Sequence, residues 1–220
     1  MIDPGRGPLL AIDTATSEMV VALERPGDDP AVTLWPAGQR HGEELLTALE
    51  GLLRQAGVQL GDLGGIVVGT GPGAFTGLRV GLATAKGLAQ ALAIPIVGIA
   101  TSTALLSAGR GGALLLPAGP RDRVLVDGAG PRLLPAGTEP ELDPAVELLA
   151  VDLDGRAPPD ALGRGRAARA QLGATLLRLG AARLAAGDAD DLARLVPEYV
   201  SLPRGVAALT GSIEWSRDPR

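Results

Sequence analysis

Ile66-Val-Val-Gly-Thr-Gly-Pro-Gly-Ala-Phe-Thr-Gly-Leu-Arg-Val80 changes character twice within a few residues. Ile66–Gly69 is short and β-branched, as a buried strand is. Thr70–Gly77 is a loop in which glycine recurs beside proline and threonine. From Leu78 to about Leu92 the pattern is helical, and Pro95 opens a second buried strand at Ile96–Ile99. Upstream, Leu9–Asp13 is an apolar run that ends in the polar turn Asp13-Thr-Ala-Thr-Ser17. Val20–Leu23 reads as its antiparallel partner, and Ala31–Leu34, beyond the turn cluster Pro26–Pro30, as a third strand of the same meander. Between Glu43 and Ala56 the residues Leu45, Leu46, Leu49, Leu52 and Leu53 fall at helical spacing, and Gly57 is a natural stop. A strand meander followed by helix, strand, helix and strand implies an α/β fold, a mixed sheet with helices packed on it.

Beyond Thr101 the pattern is looser. Ala113–Leu116 and Arg123–Val126 read as paired strands and Glu147–Leu153 as another, with turns at Pro117–Pro120 and Gly128–Pro131 between them. Ala167–Ala186 returns to a helical pattern ended by Gly187, and Asp188 suits the N-cap of a short helix over Ala189–Leu195. The organisation expected is a first lobe over 1–103, a smaller second lobe over 104–200 and a tail over 201–220.

Composition narrows the chemistry. The chain has 220 residues, no cysteine, one histidine (His41) and one lysine (Lys86) against nineteen arginines. Disulfides, thiol catalysis and Cys- or multi-His-ligated metal sites are thereby excluded for the single chain. Four aromatics (Trp35, Phe75, Tyr199 and Trp215) and a net charge of −5 argue against nucleic-acid binding by this chain alone. The most membrane-like window, Val80–Ala100, is interrupted by Lys86, Gln90 and Pro95, and the N-terminus lacks a signal-peptide pattern. A soluble, cytoplasmic protein is expected.

Several motifs carry two readings. The Gly69–Gly77 loop precedes a helix, where exposed backbone N–H groups bind anions. It has no Gly-Lys-Ser/Thr ending, and Pro72 removes a donor, so structural turn and contact site both stand. Asp13, followed by Thr14 and Thr16, is either the carboxylate of an Asx-turn or a metal-associated acid of a phosphotransferase. His41, with Glu43 and Glu44 behind it, reads as a helix entry whose acids favour the macrodipole. Arg164, Arg166, Arg169, Arg178 and Arg183 form the one basic stretch, either a solvated helix face or an RNA-backbone contact. The second helix is stripped of bulk by Gly77, Gly81, Ala83, Ala85, Gly87, Ala89 and Ala91. Interior glycines cost roughly 1 kcal/mol each relative to alanine, and they permit close approach by the chain's own sheet or by a partner. On the first helix, Leu46, Glu50 and Leu53 are placed on a different side from Leu45, Leu49 and Leu52, and a second apolar side on an outer helix marks an interface.

Leu9-Leu-Ala-Ile-Asp-Thr-Ala-Thr16, His41-Gly-Glu-Glu-Leu-Leu46, Gly69-Thr-Gly-Pro-Gly-Ala-Phe-Thr-Gly-Leu-Arg79, Ala83-Thr-Ala-Lys-Gly-Leu-Ala89 and Ile94-Pro-Ile-Val-Gly98 occur in order. Together with Pro197-Glu-Tyr199 they closely resemble the TsaB (YeaZ) family, the accessory subunit of bacterial threonylcarbamoyladenosine synthesis on tRNA. The likeness is dense over 9–103 and thin over 104–195. Pro117-Ala-Gly-Pro-Arg-Asp-Arg-Val124 departs from the family's Asp-Ala-Arg-Arg-Gly-Glu-Val-Tyr.

The resemblance implies a two-lobe fold of the actin/sugar-kinase (RNase H-like) type. It implies a non-catalytic scaffold that pairs with and activates a TsaD-like catalytic subunit, helps recruit a TsaE-like ATPase, and forms a homodimer when alone. The chain would then meet tRNA (at position 37) only through the complex, hold no cofactor or metal itself, leave ATP to the partner complex, and touch no membrane. The partner-binding residues it implies are Leu45, Leu46, Leu49, Leu53, Gly77, Val80, Gly81, Thr84, Ala85 and Leu88. Asp13, Gly71, Gly73, Ala74 and Thr76 are the expected nucleotide or anion contacts. The competing expectation is an ATP-dependent phosphotransferase or ATPase with Asp13 at the metal and the Gly69–Gly77 loop on phosphate.

Overall fold

Alternation along Leu9–Asp13 (β1) decides how the first sheet is filled. Leu10 and Ile12 join the core on one face and Ala11 the core on the other, and all three are fully buried. The computed structural model describes residues 7–37 and 41–199, with only the backbone of His41. β1 pairs antiparallel with Glu18–Glu24 (β2), which pairs in turn with Ala31–Pro36 (β3). On its other side β1 runs parallel to Gly65–Gly69 (β4), and β4 parallel to Ile96–Ile99 (β5), giving the order β3-β2-β1-β4-β5.

Helices His41–Ala56 (α1) and Phe75–Leu92 (α2) cover the Leu10/Ile12 face. α1 buries Leu45, Leu49, Leu52 and Leu53, a stripe at helical spacing, against Leu10, Ile12, Val21, Ile66 and Val68. The chain then supplies Thr101–Gly109 (α3), the strands Ala113–Pro117 (β6), Arg123–Asp127 (β7), Gly130–Leu134 (β8) and Leu148–Ala150 (β9), and the helices Pro159–Ala170 (α4) and Leu172–Ala185 (α5). The second sheet has the order β8-β7-β6-β9, antiparallel except for β6 with β9.

The two sheets share one core. Ala11, Val20, Ala22 and Val67 form the second face of the first sheet, and α5 lies across it with Leu172, Leu176 and Leu177. A Cβ on Gly180 would run into Val67, and one on Gly173 would crowd Ala22, Val20 and Val32, so glycine at these positions lets the helix sit close. Leu114, Leu116, Val124, Leu149 and Val151 of the second sheet continue the same cluster through Ala104 and Leu105 of α3.

Long-range packing revises part of the sequence reading. The boundary read after residue 103 falls inside α3, and the later half of the chain contributes α5 to the first sheet, because a face of small and β-branched side chains has to be covered. Ala167–Ala186 is the end of α4 and the whole of α5, with a break at Gln171. Residues 189–195 form no helix. Asp190 is spent on the edge of β5, where its N–H donates to Ile96 O at 2.8 Å and its Oδ2 accepts from Gly98 N at 2.7 Å. Arg183 Nη1 donates to Gly98 O at 2.9 Å and to Asp190 Oδ2 at 3.1 Å. An ion pair thus blunts a strand edge that would otherwise offer free donors and acceptors. Asp190→Ala, which strands Gly98 N–H and one face of Arg183, should lower the unfolding free energy in urea by about 2 kcal/mol. Among the described residues no helix is long and apolar enough to cross a membrane, and Val80–Ala100 is divided between α2 and β5. The tail read over 201–220 lies outside the described residues.

Candidate functional site

Asp13 closes β1 with its side chain turned inward. It is fully buried; Oδ1 accepts from Ala15 N at 2.8 Å and Oδ2 from Thr101 Oγ1 at 2.7 Å. The Thr101 oxygen in turn accepts from Gly71 N at 3.0 Å. Burial pushes the carboxyl up from 3.8 to about 6, outweighing the hydrogen bonds from Ala15 and Thr101 that pull it down. A Cβ on Gly69 would overlap this carboxylate, so β4 carries glycine where Asp13 lies against it. The Asx-turn is therefore present, and both oxygens are committed within the fold. Among the described residues no group of three His, Cys, Asp or Glu side chains could hold a metal.

The glycine-rich loop is likewise packed inward. Thr70 N donates to Ile99 O, Gly71 N to Thr101, and Ala74 N to Ala15 O at 2.8 Å. A Cβ on Gly73 would overlap Ala15 O. Glu198 covers the start of the loop, accepting from Thr70 Oγ1 at 2.9 Å and donating its N–H to Thr70 O at 2.8 Å. Of the anion contacts expected, Asp13 and Gly71 are buried with the Asp13 carboxylate and the Gly71 N–H on internal partners, and Ala74, though exposed, spends its N–H on Ala15 O. Gly73 is pressed against the β1–β2 turn, and two of the set are exposed: Ala74, at the N-cap of α2, and Thr76, in its first turn.

The expected docking face divides. Gly77 and Gly81 seat α2 on Thr14, whose Oγ1 donates to Gly77 O at 2.7 Å. Ala85 is buried beside Leu82 and Ala89, and Leu45, Leu49 and Leu53 are buried under α1. These six cannot meet a partner in this conformation. Leu53 lies on the same flank of α1 as Leu46, but it is buried in the core cluster, against which Val58 beyond the helix end also packs. Leu46 has no such cover and stays 53% exposed. Val80, Thr84 and Leu88, four apart along α2, are half-buried, and Ala83 and Gly87 beside them are exposed. An accessible stripe thus remains on α2, with Leu46 on the neighbouring α1.

Sequence reasoning missed what flanks this stripe. Tyr199 stacks on Phe75 with centroids 5.1 Å apart, Arg79 lies 4.1 Å over the Phe75 ring, and Arg79 Nε donates to Tyr199 Oη at 3.2 Å. Lys86 donates to Leu195 O at 3.1 Å, which commits the chain's single lysine to a structural bond. The Pro197-Glu-Tyr199 motif was the signal available for this segment. His41 opens α1, and its side chain lies outside the described residues. The basic stretch is internally engaged: Arg164 with Leu148 O, Arg169 with Glu18 and Asp152, Arg178 with Ser107, Arg183 with Asp188 and Asp190. Arg166, 4.0 Å from Asp154, is the loosest of the five.

A family model described as TsaD, tRNA N6-adenosine threonylcarbamoyltransferase, matches residues 36–134. Over 94 residues the chain is 38% identical to the tRNA threonylcarbamoyladenosine biosynthesis protein TsaB of Escherichia coli (strain K12), covering 42% of this chain and 40% of that one. Over 102 residues it is 35% identical to the protein of the same description from Bacillus subtilis (strain 168), covering 46% and 44%. The chain thus spans less than half the length of these curated relatives. YeaZ from Pseudomonas aeruginosa superposes with a TM-score of 0.63 over 88% of this chain and 99% of that one, at 22% identity. The architecture is accordingly the α/β fold of that structure, two mixed sheets flanked by helices, as expected.

Proposed function

The TsaB relatives and the YeaZ fold support the TsaB/YeaZ family for this chain, and from that premise we propose that it is a non-catalytic subunit of the machinery that makes threonylcarbamoyladenosine on tRNA. It pairs with and activates a TsaD-like catalytic subunit, helps recruit a TsaE-like ATPase, and meets tRNA through the complex. Alone it forms a homodimer through the same face, and ATP is used by the partner complex. The observation that carries the non-catalytic part is Asp13: the carboxylate that the enzyme reading would put at a metal is fully buried with both oxygens bonded internally. An ATP-dependent phosphotransferase would need that side chain turned outward, away from Thr101.

The docking part rests on Leu46 with Val80, Thr84 and Leu88. An exposed leucine on an outer helix beside a half-open stripe loses apolar surface to water on pairing, at about 25 cal/mol per Å². Leu46→Glu should weaken binding to the cognate TsaD-type subunit at least about tenfold, measured by size-exclusion chromatography with light scattering and by calorimetry. At a concentration where the parent is monomeric its urea midpoint should stay that of the parent, since Leu46 is outside the core. Undiminished pairing would show that the face is misplaced. Turnover of Mg-ATP by the isolated chain, lost in Asp13→Ala, would replace the scaffold with an enzyme.

A further inference from the structure

Asp152, just past β9, is a non-glycine residue at φ +58°, in the left-handed region. Aspartate tolerates that conformation better than most residues, yet at some energetic cost, and a retained outlier asks for a reason. Its carboxylate reaches across to the first lobe. Oδ2 accepts from Ser17 N at 2.6 Å, and Oδ1 accepts from Ser17 Oγ and, at 2.7 Å, from Arg169 Nη1. Arg169, in the last turn of α4, also holds Glu18 Oε2 through Nε at 2.6 Å. The Arg169 and Asp152 side chains are only 15% and 13% exposed, so this pair is screened far less than a surface ion pair. Ser17 ends the β1–β2 turn and Glu18 opens β2, whereas Asp152 and Arg169 belong to the second lobe.

We propose that Asp152 is an interlobe latch: its carboxylate, seated on Ser17 and braced by Arg169, holds the β1–β2 turn shut against the second lobe. The shared core through α3 and α5 joins the lobes elsewhere, and the latch fixes them at the turn. Ser17 N–H, Ser17 Oγ and the Arg169 guanidinium all converge on this one carboxylate. The latch does not depend on the partner-docking reading: a chain that hydrolysed ATP but lost the latch on substitution would sink the scaffold and keep this inference.

Asp152→Gly and Asp152→Asn test it, because both residues suit the left-handed backbone and leave the turn intact. Hydrogen exchange read by mass spectrometry should show the Ser17 amide exchanging about tenfold faster in Asp152→Gly and by less in Asp152→Asn, which keeps one acceptor oxygen, with α1 peptides unchanged in both. Wild-type protection of Ser17 in Asp152→Gly, or a gain in stability there, would reduce Asp152 to a turn residue and overturn the proposal. A uniform rise that includes α1 would overturn it as well, by making the loss global.

Discussion

Gly77→Ala should lower the unfolding free energy by about 3 kcal/mol, while Gly87→Ala in the same helix should raise it by about 1 kcal/mol. A Cβ on Gly77 would overlap the carbonyl oxygen of Thr14, a backbone atom that cannot rotate aside. Either α2 lifts from the end of β1 or β1 bends, and lifting breaks the bond from Thr14 Oγ1 to Gly77 O. The gain in helix propensity, about 1 kcal/mol, is too small to offset this. At Gly81 the obstacle is the Thr14 side chain, so Gly81→Ala should fall between the two. Gly87 faces open space, and alanine there adds propensity without a clash. Urea unfolding with an unchanged m-value reads all three. A neutral Gly77→Ala would mean that α2 is not seated on Thr14, and the glycine stripe would return as a surface for a partner.

Those three glycines mark how far the sequence could be read. Change of period made β1, β2, β4, α2 and β5 legible, since each signal is local: alternation, a β-branched run, a glycine loop, helical spacing. The Asp13 turn was legible for the same reason. Which side of a glycine- and alanine-rich helix faces inward is not a local property, because a helix pressed on its own sheet and one pressed on a partner need the same small residues. Leu46 and Leu53 share a flank by periodicity, yet one is 53% exposed and the other buried in the core cluster, a difference set by long-range packing. α3 escaped notice because its N-cap is Ala100 with no side-chain cap and its nine residues mix Ser and Thr with small and apolar residues. The role of α5 in closing the first sheet, and the pinning of residues 190–199 to β5 and the glycine loop, arise from contacts far apart in sequence.

Stability should respond to Asp13 in the direction opposite to most carboxylates. Its folded value of about 6 lies above the ordinary 3.8, so the folded state holds this proton more tightly than the unfolded chain does. Below the ordinary value both states are protonated and the contribution is complete. As pH rises the unfolded chain ionises first, and the folded state loses ground until it too ionises near 6. At roughly 1.4 kcal/mol per pH unit over that interval, the loss by pH 7 is about 3 kcal/mol. Other carboxylates titrate in the same range, so the measurement is a difference: unfolding free energies of wild type and Asp13→Asn compared at pH 4 and pH 7. The variant should gain about 2 kcal/mol on the wild type across that span, because the unfolded wild type is already partly ionised at pH 4, whereas asparagine keeps the acceptor for Ala15 N and never ionises. Above pH 6 the buried charge is supported by Thr101, which also receives the Gly71 amide, so the strain falls on the start of the glycine loop. Faster exchange of the Gly71 amide at pH 7 than stability alone accounts for should accompany it. A difference that stays flat with pH would show a carboxylate already reached by water, and with it the strongest reason for denying Asp13 a metal or a phosphate would be gone.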